Sequence, residues 1–374
     1  MPSFLSSPRA RLLLGGALLV VLLSFWKLSE SSGSSYLPIL KSSKPNAAIF
    51  ILLAPNRITQ ALVALQNVED RFNRRLKYPI ILFTAEDEAH FITEDIKAKA
   101  SHITNGRASF ATATKESWDI PAWMDEKRVN SSLETIGFST GYRAMCRYYS
   151  GFFWKNPALV SYEWLWRLDT DIQFHCDVPY DPIEVLISKK ALYGFVQVNY
   201  DVSWVQPSLA SNVSQFLSNN RHLIPADANQ HFVWKGDAGV AKAMAGTAGN
   251  DDWTGACMYN NFEISHRSVW ESSLYTKFFD HLEKAGGFFY ERWGDSPVHS
   301  YGLAMSLRKD QIVQFDDLGY GLSSSEHIVK FTFGRYQHQG WAYECPKLDR
   351  CACIEDDDTR DFNNNGDAWF KPTM

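Results

Sequence analysis

The first pattern along the chain is an uncharged run, Leu12 to Trp26 (LLLGGALLVVLLSFW), with Arg9 and Arg11 before it and Lys27 after it. As a helix it extends about 22 Å, short of a ~30 Å hydrocarbon core. The flanking basic side chains can snorkel outward, and early secretory membranes are thinner, so the run can still span. It is expected to be a signal-anchor helix at 12–28 behind a cytoplasmic tail of 1–11, because the arginines precede it and stay on the cytoplasmic side. A cleaved signal peptide would carry an apolar region of similar length. Either one delivers the rest of the chain to the secretory pathway.

Residues 29–45 (SESSGSSYLPILKSS and its continuation) are Ser-rich without periodicity and read as a stem. Beyond it the pattern becomes that of a folded body at 46–374. Ala47 to Ala54 (AAIFILLA) is an unbroken apolar run of strand length, expected to be covered on both faces. Ile58 to Leu76 places Leu62, Leu65, Val68 and Phe72 at helical spacing, and Tyr78 to Asp87 (YPIILFTAED) is a second apolar strand ending in acidic residues. Strand, helix, strand predicts a parallel α/β sheet with a right-handed crossover. Tyr162 to Leu168 (YEWLWRL) alternates and is expected to be a further strand. In such sheets, ligands bind beyond the carboxyl ends of the strands.

Composition narrows the picture. The 374 residues include 14% aromatics, enough for a large core and for stacking surfaces. A net charge of -5 excludes a general nucleic-acid binder, which needs a basic field. Asn130-Ser-Ser132 and Asn212-Val-Ser214 are acceptor sequences for N-glycans, usable only in a lumen. Six cysteines (Cys146, Cys176, Cys257, Cys345, Cys351, Cys353) allow up to three disulfides in an oxidising compartment. Cys351-Ala-Cys353 lacks the spacing of a zinc knuckle.

Asp169 and Asp171 sit two residues apart at the carboxyl end of the third strand. Burying an unpaired carboxylate is costly, so the pair either faces water or holds a cation. Asp-x-Asp at that place can bind Mn²⁺ or Mg²⁺ with an attached diphosphate, since hard oxygen ligands suit those ions.

Three blocks carry a resemblance: Gln66 to Phe83 (QNVEDRFNRRLKYPIILF), Tyr142 to Pro182 (YRAMCRYYSGFFWKNPALVSYEWLWRLDTDIQFHCDVPYDP), and Asn260 to Leu307, which opens NNFEISHRSVW. In family order they resemble fungal glycosyltransferase family 15, the Golgi α-1,2-mannosyltransferases. The resemblance implies a GT-A-like α/β fold, mixed but mainly parallel and flanked by helices. It implies a type II Golgi membrane protein that moves mannose, with retention, from GDP-mannose to a mannosylated glycan or glycoprotein, with Mn²⁺ as cofactor. The family's metal motif reads Glu-Pro-Asp, which matches Asp169, Thr170 and Asp171. A metal-ligating His before a Cys-Pro matches His338, ahead of Cys345-Pro346, with His327 as the competitor across an apparent insertion. Glu263 matches the family glutamate beside the anomeric carbon, as nucleophile or ion-pair stabiliser. In this sequence it stands between Phe262 and Ile264, so it also reads as a buried glutamate paired with an arginine.

Asp295, in Gly294-Asp-Ser296, is expected either to orient the acceptor hydroxyl or take its proton, or to cap the helix that follows. Tyr142, Arg143 and Arg147 precede the metal strand. They are expected to contact either the donor diphosphate or the fold's own carboxylates. Where the family has a basic residue just after the first strand, this chain departs from it and reads Pro55-Asn56-Arg57. Two other functions compete: a transferase using another nucleotide-sugar such as a UDP-sugar, and a weakly active member serving as a glycan-binding or complex subunit.

Overall fold

The computed structural model describes residues 44–318, together with the backbone of Tyr320–Leu322 and Lys330–Thr332. In chain order the longer elements are β1 (Ala47–Leu52), α1 (Ile58–Val68), β2 (Ile80–Ala85), α2 (Glu94–Thr104), β3 (Ala108–Ala113), α3 (Glu126–Ile136), α4 (Thr140–Gly151) and β4 (Trp164–Leu168). They continue as β5 (Ile172–Phe174), α5 (Pro182–Lys189), β6 (Tyr193–Phe195), β7 (Val198–Tyr200), α6 (Leu209–Asn219), α7 (Gly236–Ala245) and β8 (Ala256–Met258). The last are β9 (Phe262–His266), α8 (Ser273–Ala285), α9 (Asp295–Ser306), β10 (Ile312–Gln314), β11 (Tyr320–Leu322) and β12 (Lys330–Thr332).

Among the described residues the main sheet has seven strands in the order β10-β6-β9-β4-β1-β2-β3. Every neighbouring pair is parallel except those of β9, which runs antiparallel between β4 and β6. The mixed, mainly parallel expectation therefore holds. β1 and β4 are apolar or aromatic almost throughout and buried, as central strands covered by helices must be. One face of the sheet carries Ala48, Phe50, Leu165 and Phe195 against α4, α8 and α9; the other carries Ile49, Ile51, Trp166 and Ile264. Two smaller sheets, β12-β11-β5 and the β7-β8 ribbon, are separate from the main one.

Two predicted elements are shorter than expected. The helix read over Ile58–Leu76 is α-helical to Val68, then passes through a π turn at Glu69–Asn73 before a last turn at Arg74–Leu76. Glu69 and Asn73 are buried there and bond each other at 2.7 Å, and Asn73 also receives the Tyr78 backbone N–H at 2.8 Å. Those side-chain bonds favour the wider turn. The second strand ends at Ala85, and Glu86–Phe91 leaves it as a 3₁₀ turn.

The expected membrane span at 12–28, the stem, His327, His338, Cys345, Cys351 and Cys353 lie outside the described residues. Among the described residues, no helix is long and apolar enough to cross a membrane. Cys146 and Cys257 are buried free thiols, which corrects the expectation of up to three disulfides to at most two among the other cysteines.

Candidate active site

The site is built where β4 ends. Because β9 runs antiparallel beside it, Arg167 of β4 lies opposite Glu263 of β9, and Glu263 in turn lies opposite Phe195 of β6. Cross-strand partners share a face, so Arg167 and Glu263 project from the same side of the sheet, toward α4 and α9. The chain leaves β4 with the Asp169 N–H donating to the Asn261 carbonyl at 3.1 Å, which carries Asp169 and Asp171 just past the sheet.

Arg167 is the hub. It is buried, its guanidinium lies 3.5 Å from the centroid of the Tyr149 ring, and it contacts two carboxylates. Its Nε donates to Asp169 Oδ1 at 3.1 Å and its Nη1 donates to Asp295 Oδ2. Asn260 donates to the same Asp295 oxygen at 2.9 Å. A buried guanidinium is tolerated because ring and carboxylates replace its water. Asp295 opens α9, but the N-cap is Gly294 and no side chain caps the helix. The capping role expected as one option for Asp295 is thus not the one it fills: its carboxylate turns to Arg167. Burial pushes the Asp295 carboxyl up, but Arg167, His299 and Asn260 outweigh it and hold the group below the usual carboxylate range.

The metal candidates differ in setting. The side chains of Asp169 and Asp171 each keep 30% of their surface exposed, at the mouth of the cluster. Burial pushes Asp169 up to about 6; Arg167 opposes this, while Asp171 and Asp295 add to it. Asp171 is raised by burial too, against the pull of Arg57. Arg57, just past β1, reaches Asp171 Oδ2 at 3.4 Å. Two adjacent carboxylates that burial drives toward protonation, held near a surface, fit a hard divalent cation, which would relieve the repulsion. No group of three or more His, Cys, Asp or Glu gathers as a metal site among the described residues.

Glu263 is wholly buried, and the arginine opposite it is not its hydrogen-bond partner. Its Oε2 accepts from the Tyr193 hydroxyl at 2.9 Å and lies 2.7 Å from His299 Nδ1, while Oε1, also buried, has no hydrogen-bond partner among the described residues. Tyr142 is exposed on the first turn of α4, its ring 5.2 Å from Phe138, whose other neighbour is the Arg292 guanidinium at 4.8 Å. Arg143 and Arg147 are used by the fold itself. Arg143 donates to Ser132 Oγ and to the carbonyls of Ser132, Gly137 and Phe289 at 2.6–2.9 Å. Arg147 forks onto Glu283 at 2.7–3.0 Å. Arg147 thus meets a carboxylate of the fold, one of the two roles expected for it, whereas Arg143 meets backbone carbonyls and a hydroxyl and no carboxylate among the described residues; the guanidiniums of both are engaged by the fold itself.

Sequence reasoning passed over Arg167, Asn260, Tyr193 and His299. Two of them left signals: an arginine inside an otherwise apolar strand (WLWRL), and a histidine four residues after Asp295, hence on the same helix face. The other two were visible only once β6, β9 and α9 came together.

A mainly parallel sheet with a carboxylate pair past a strand's carboxyl end is suited to holding a charged ligand there, and the relatives of the chain supply the class, a glycosyltransferase. The family profile described as glycolipid 2-alpha-mannosyltransferase matches residues 29–359, and the chain belongs to that family. It is 36% identical to the O-glycoside alpha-1,2-mannosyltransferase homolog 3 of Schizosaccharomyces pombe, over 78% of this chain and 75% of that one. It is 33% identical to alpha-1,2 mannosyltransferase KTR1 of Saccharomyces cerevisiae, over 78% of this chain and 73% of that one. The core-mannan synthase A of Aspergillus fumigatus, in its Mn/GDP form, superposes with a TM-score of 0.69 at 26% identity, covering 84% of this chain and 82% of that one. The protein is a mannosyltransferase.

Proposed function

We propose that the chain is a retaining α-1,2-mannosyltransferase that uses GDP-mannose and Mn²⁺ and acts on mannosylated glycans in the Golgi lumen. The observation that carries this reading is the Asp169–Arg167–Asp295 chain, which joins an exposed carboxylate pair to a buried acid across one guanidinium. The names of the relatives support the linkage, and the Mn/GDP form of the Aspergillus synthase supports donor and metal.

In this reading Asp169 and Asp171 hold the cation, with His338 completing the set. The ion's contribution is to offset charge building on the diphosphate as it leaves. Arg57 adds a positive charge on the same side, next to Asp171. Arg167 fixes Asp169 in place, so the pair does not swing when the donor departs. Asp295 is kept ionised by Arg167 and is therefore a poor base. Its task is to accept a hydrogen bond from the acceptor and aim the 2-hydroxyl. As the C1–O bond to GDP breaks, its electron pair leaves with the diphosphate. The acceptor oxygen bonds to C1 on the same face, and its proton passes to the diphosphate oxygen. Glu263, buried within the cluster, supplies negative charge that stabilises the oxocarbenium-like centre.

The N-terminal span at 12–28 is proposed as the anchor that holds this body in the lumen as a type II membrane protein. The test is a panel of GDP- and UDP-sugars offered to the purified full chain with Mn²⁺ and methyl α-mannoside. The expected result is transfer from GDP-mannose alone, with an α-1,2-linked disaccharide as product. Transfer from a UDP-sugar would replace the donor. Donor binding without either transfer or hydrolysis would favour a glycan-binding subunit.

A further inference from the structure

Glu263 is held in a way that the transfer reading leaves unexplained, and the inference below rests on that reading. We propose that His299 is a positioning residue: with Tyr193 it grips one oxygen of Glu263 and so fixes the direction of the other, Oε1, which is itself buried.

The bonding leaves little freedom. His299 Nε2 lies 2.9 Å from the Tyr149 carbonyl oxygen, which can only accept, so Nε2 carries a hydrogen. The other ring nitrogen is thereby turned to Glu263, at 2.7 Å from Oε2, with the Asn260 amide nitrogen 3.4 Å away. The Tyr193 hydroxyl donates to the same oxygen at 2.9 Å. Oε2 thus has two partners and Oε1 none among the described residues. The imidazole cannot swing, because Trp270 lies 4.5 Å from it, centroid to centroid, with Phe153 at 6.1 Å and Tyr275 at 6.3 Å.

A Phe or Leu would fill an aromatic pocket of this kind but would leave the buried Glu263 Oε2 with one partner fewer. A buried imidazole there is expensive unless both nitrogens are used, and both are. His299 is also one helical turn beyond Asp295 on α9. A single rigid element therefore sets the separation between the acid proposed to aim the acceptor and the clamp on the buried acid proposed to stabilise the oxocarbenium-like centre.

The test separates orientation from filling. An Asn amide reaches the place of the imidazole Nδ1, whereas a Gln amide reaches that of Nε2. His299→Asn therefore keeps the contact with Glu263, and His299→Gln keeps only the one with the Tyr149 carbonyl. With the full-length protein, His299→Gln is expected to lower kcat by on the order of a hundredfold, while His299→Asn stays within about tenfold of wild type. Binding of Mn²⁺–GDP, read by calorimetry, should change less than about twofold in either variant, since His299 is wholly buried against Glu263 and the Tyr149 carbonyl. A filling role predicts the reverse order, because Gln occupies more of the pocket. Equal turnover, or Gln above Asn, overturns the proposal.

Tyr193→Phe offers a second variant that keeps the ring and loses only the grip, with a smaller drop in kcat expected. The contact itself is read without turnover by nitrogen NMR of isotope-labelled histidine. Glu263→Gln should move the His299 Nδ1 resonance and leave Nε2 in place; an unmoved Nδ1 overturns the clamp. A wild-type chain that transfers no mannose would instead overturn the transfer reading, and the NMR result would still decide whether His299 orients Glu263.

Discussion

Two carboxylates separated by one threonine differ from an ordinary solvated pair because of what lies under them. Arg167 is buried and bonds Asp169; Arg57 approaches Asp171 from beyond β1. Burial still wins at Asp169, whose carboxyl is raised from 3.8 to about 6. For the metal-free protein the sign follows directly. A raised carboxyl favours the folded state fully below about pH 4, and that contribution is lost as pH rises through about 6. Cation binding has the opposite slope, because a proton must be displaced first. The rise in melting temperature caused by Mn²⁺ with GDP should therefore be largest near pH 7.5 and shrink as pH falls through 6, with affinity dropping by up to about tenfold per pH unit below it. Asp169→Asn should abolish most of that rise and its pH dependence. An undiminished rise would remove Asp169 from the metal set. The pair was legible because its members are two residues apart. Arg167 was visible as an oddity in its strand, but its partner Asp295 comes 128 residues later.

Helix α9 carries both Asp295 and His299, so its seat decides the geometry of the site. Gly302 lets it sit close to α8: a Cβ there would be 2.4 Å from the Tyr275 ring. Gly302→Ala must push the helix or the ring aside. It is expected to lower stability by about 1–3 kcal/mol, as overpacking does, and to reduce turnover beyond what lost folding explains. Calorimetric melting and turnover per folded molecule check this; an unshifted melt with full activity would show that α9 has slack. The two glycan acceptors also separate at this scale. Asn130 is exposed on α3, whereas Asn212 lies inside α6 with its amide on the Ser208 carbonyl at 2.8 Å and Ser214 buried. Asn130→Gln should remove a glycan detectable as a mobility shift, and Asn212→Gln should not. The sequence shows both acceptor triplets alike, because the pattern says nothing about which helix face is free.

For the whole molecule, the expected arrangement is a short anchor with the catalytic body on the far side of the membrane. A C-terminal tag in sealed microsomes should resist protease until detergent is added. Digestion without detergent would reverse the topology, and a wholly soluble secreted chain would replace the anchor with a signal peptide. The body itself has a mixed main sheet with a separate apolar core on each face, and the α4–α9 face carries the Arg167, Glu263 and Asp295 cluster.

Hydrophobic periodicity by itself determined β1, α1, β2 and β4, since the run lengths and spacings that define them are local. It also placed Asp169 and Asp171 at a strand's carboxyl end, and the long block similarities brought Glu263 and Asp295 into the same site. Only the tertiary structure decided that β9 runs antiparallel between β4 and β6. That choice sets Arg167 against Glu263, and no local pattern encodes it, because strands of one composition pair in either direction. The same holds for the fates of the buried arginines. Arg143, Arg147 and Arg167 are chemically identical along the chain. Which one meets backbone carbonyls, which a structural glutamate and which the two site carboxylates depends on contacts made across more than a hundred residues.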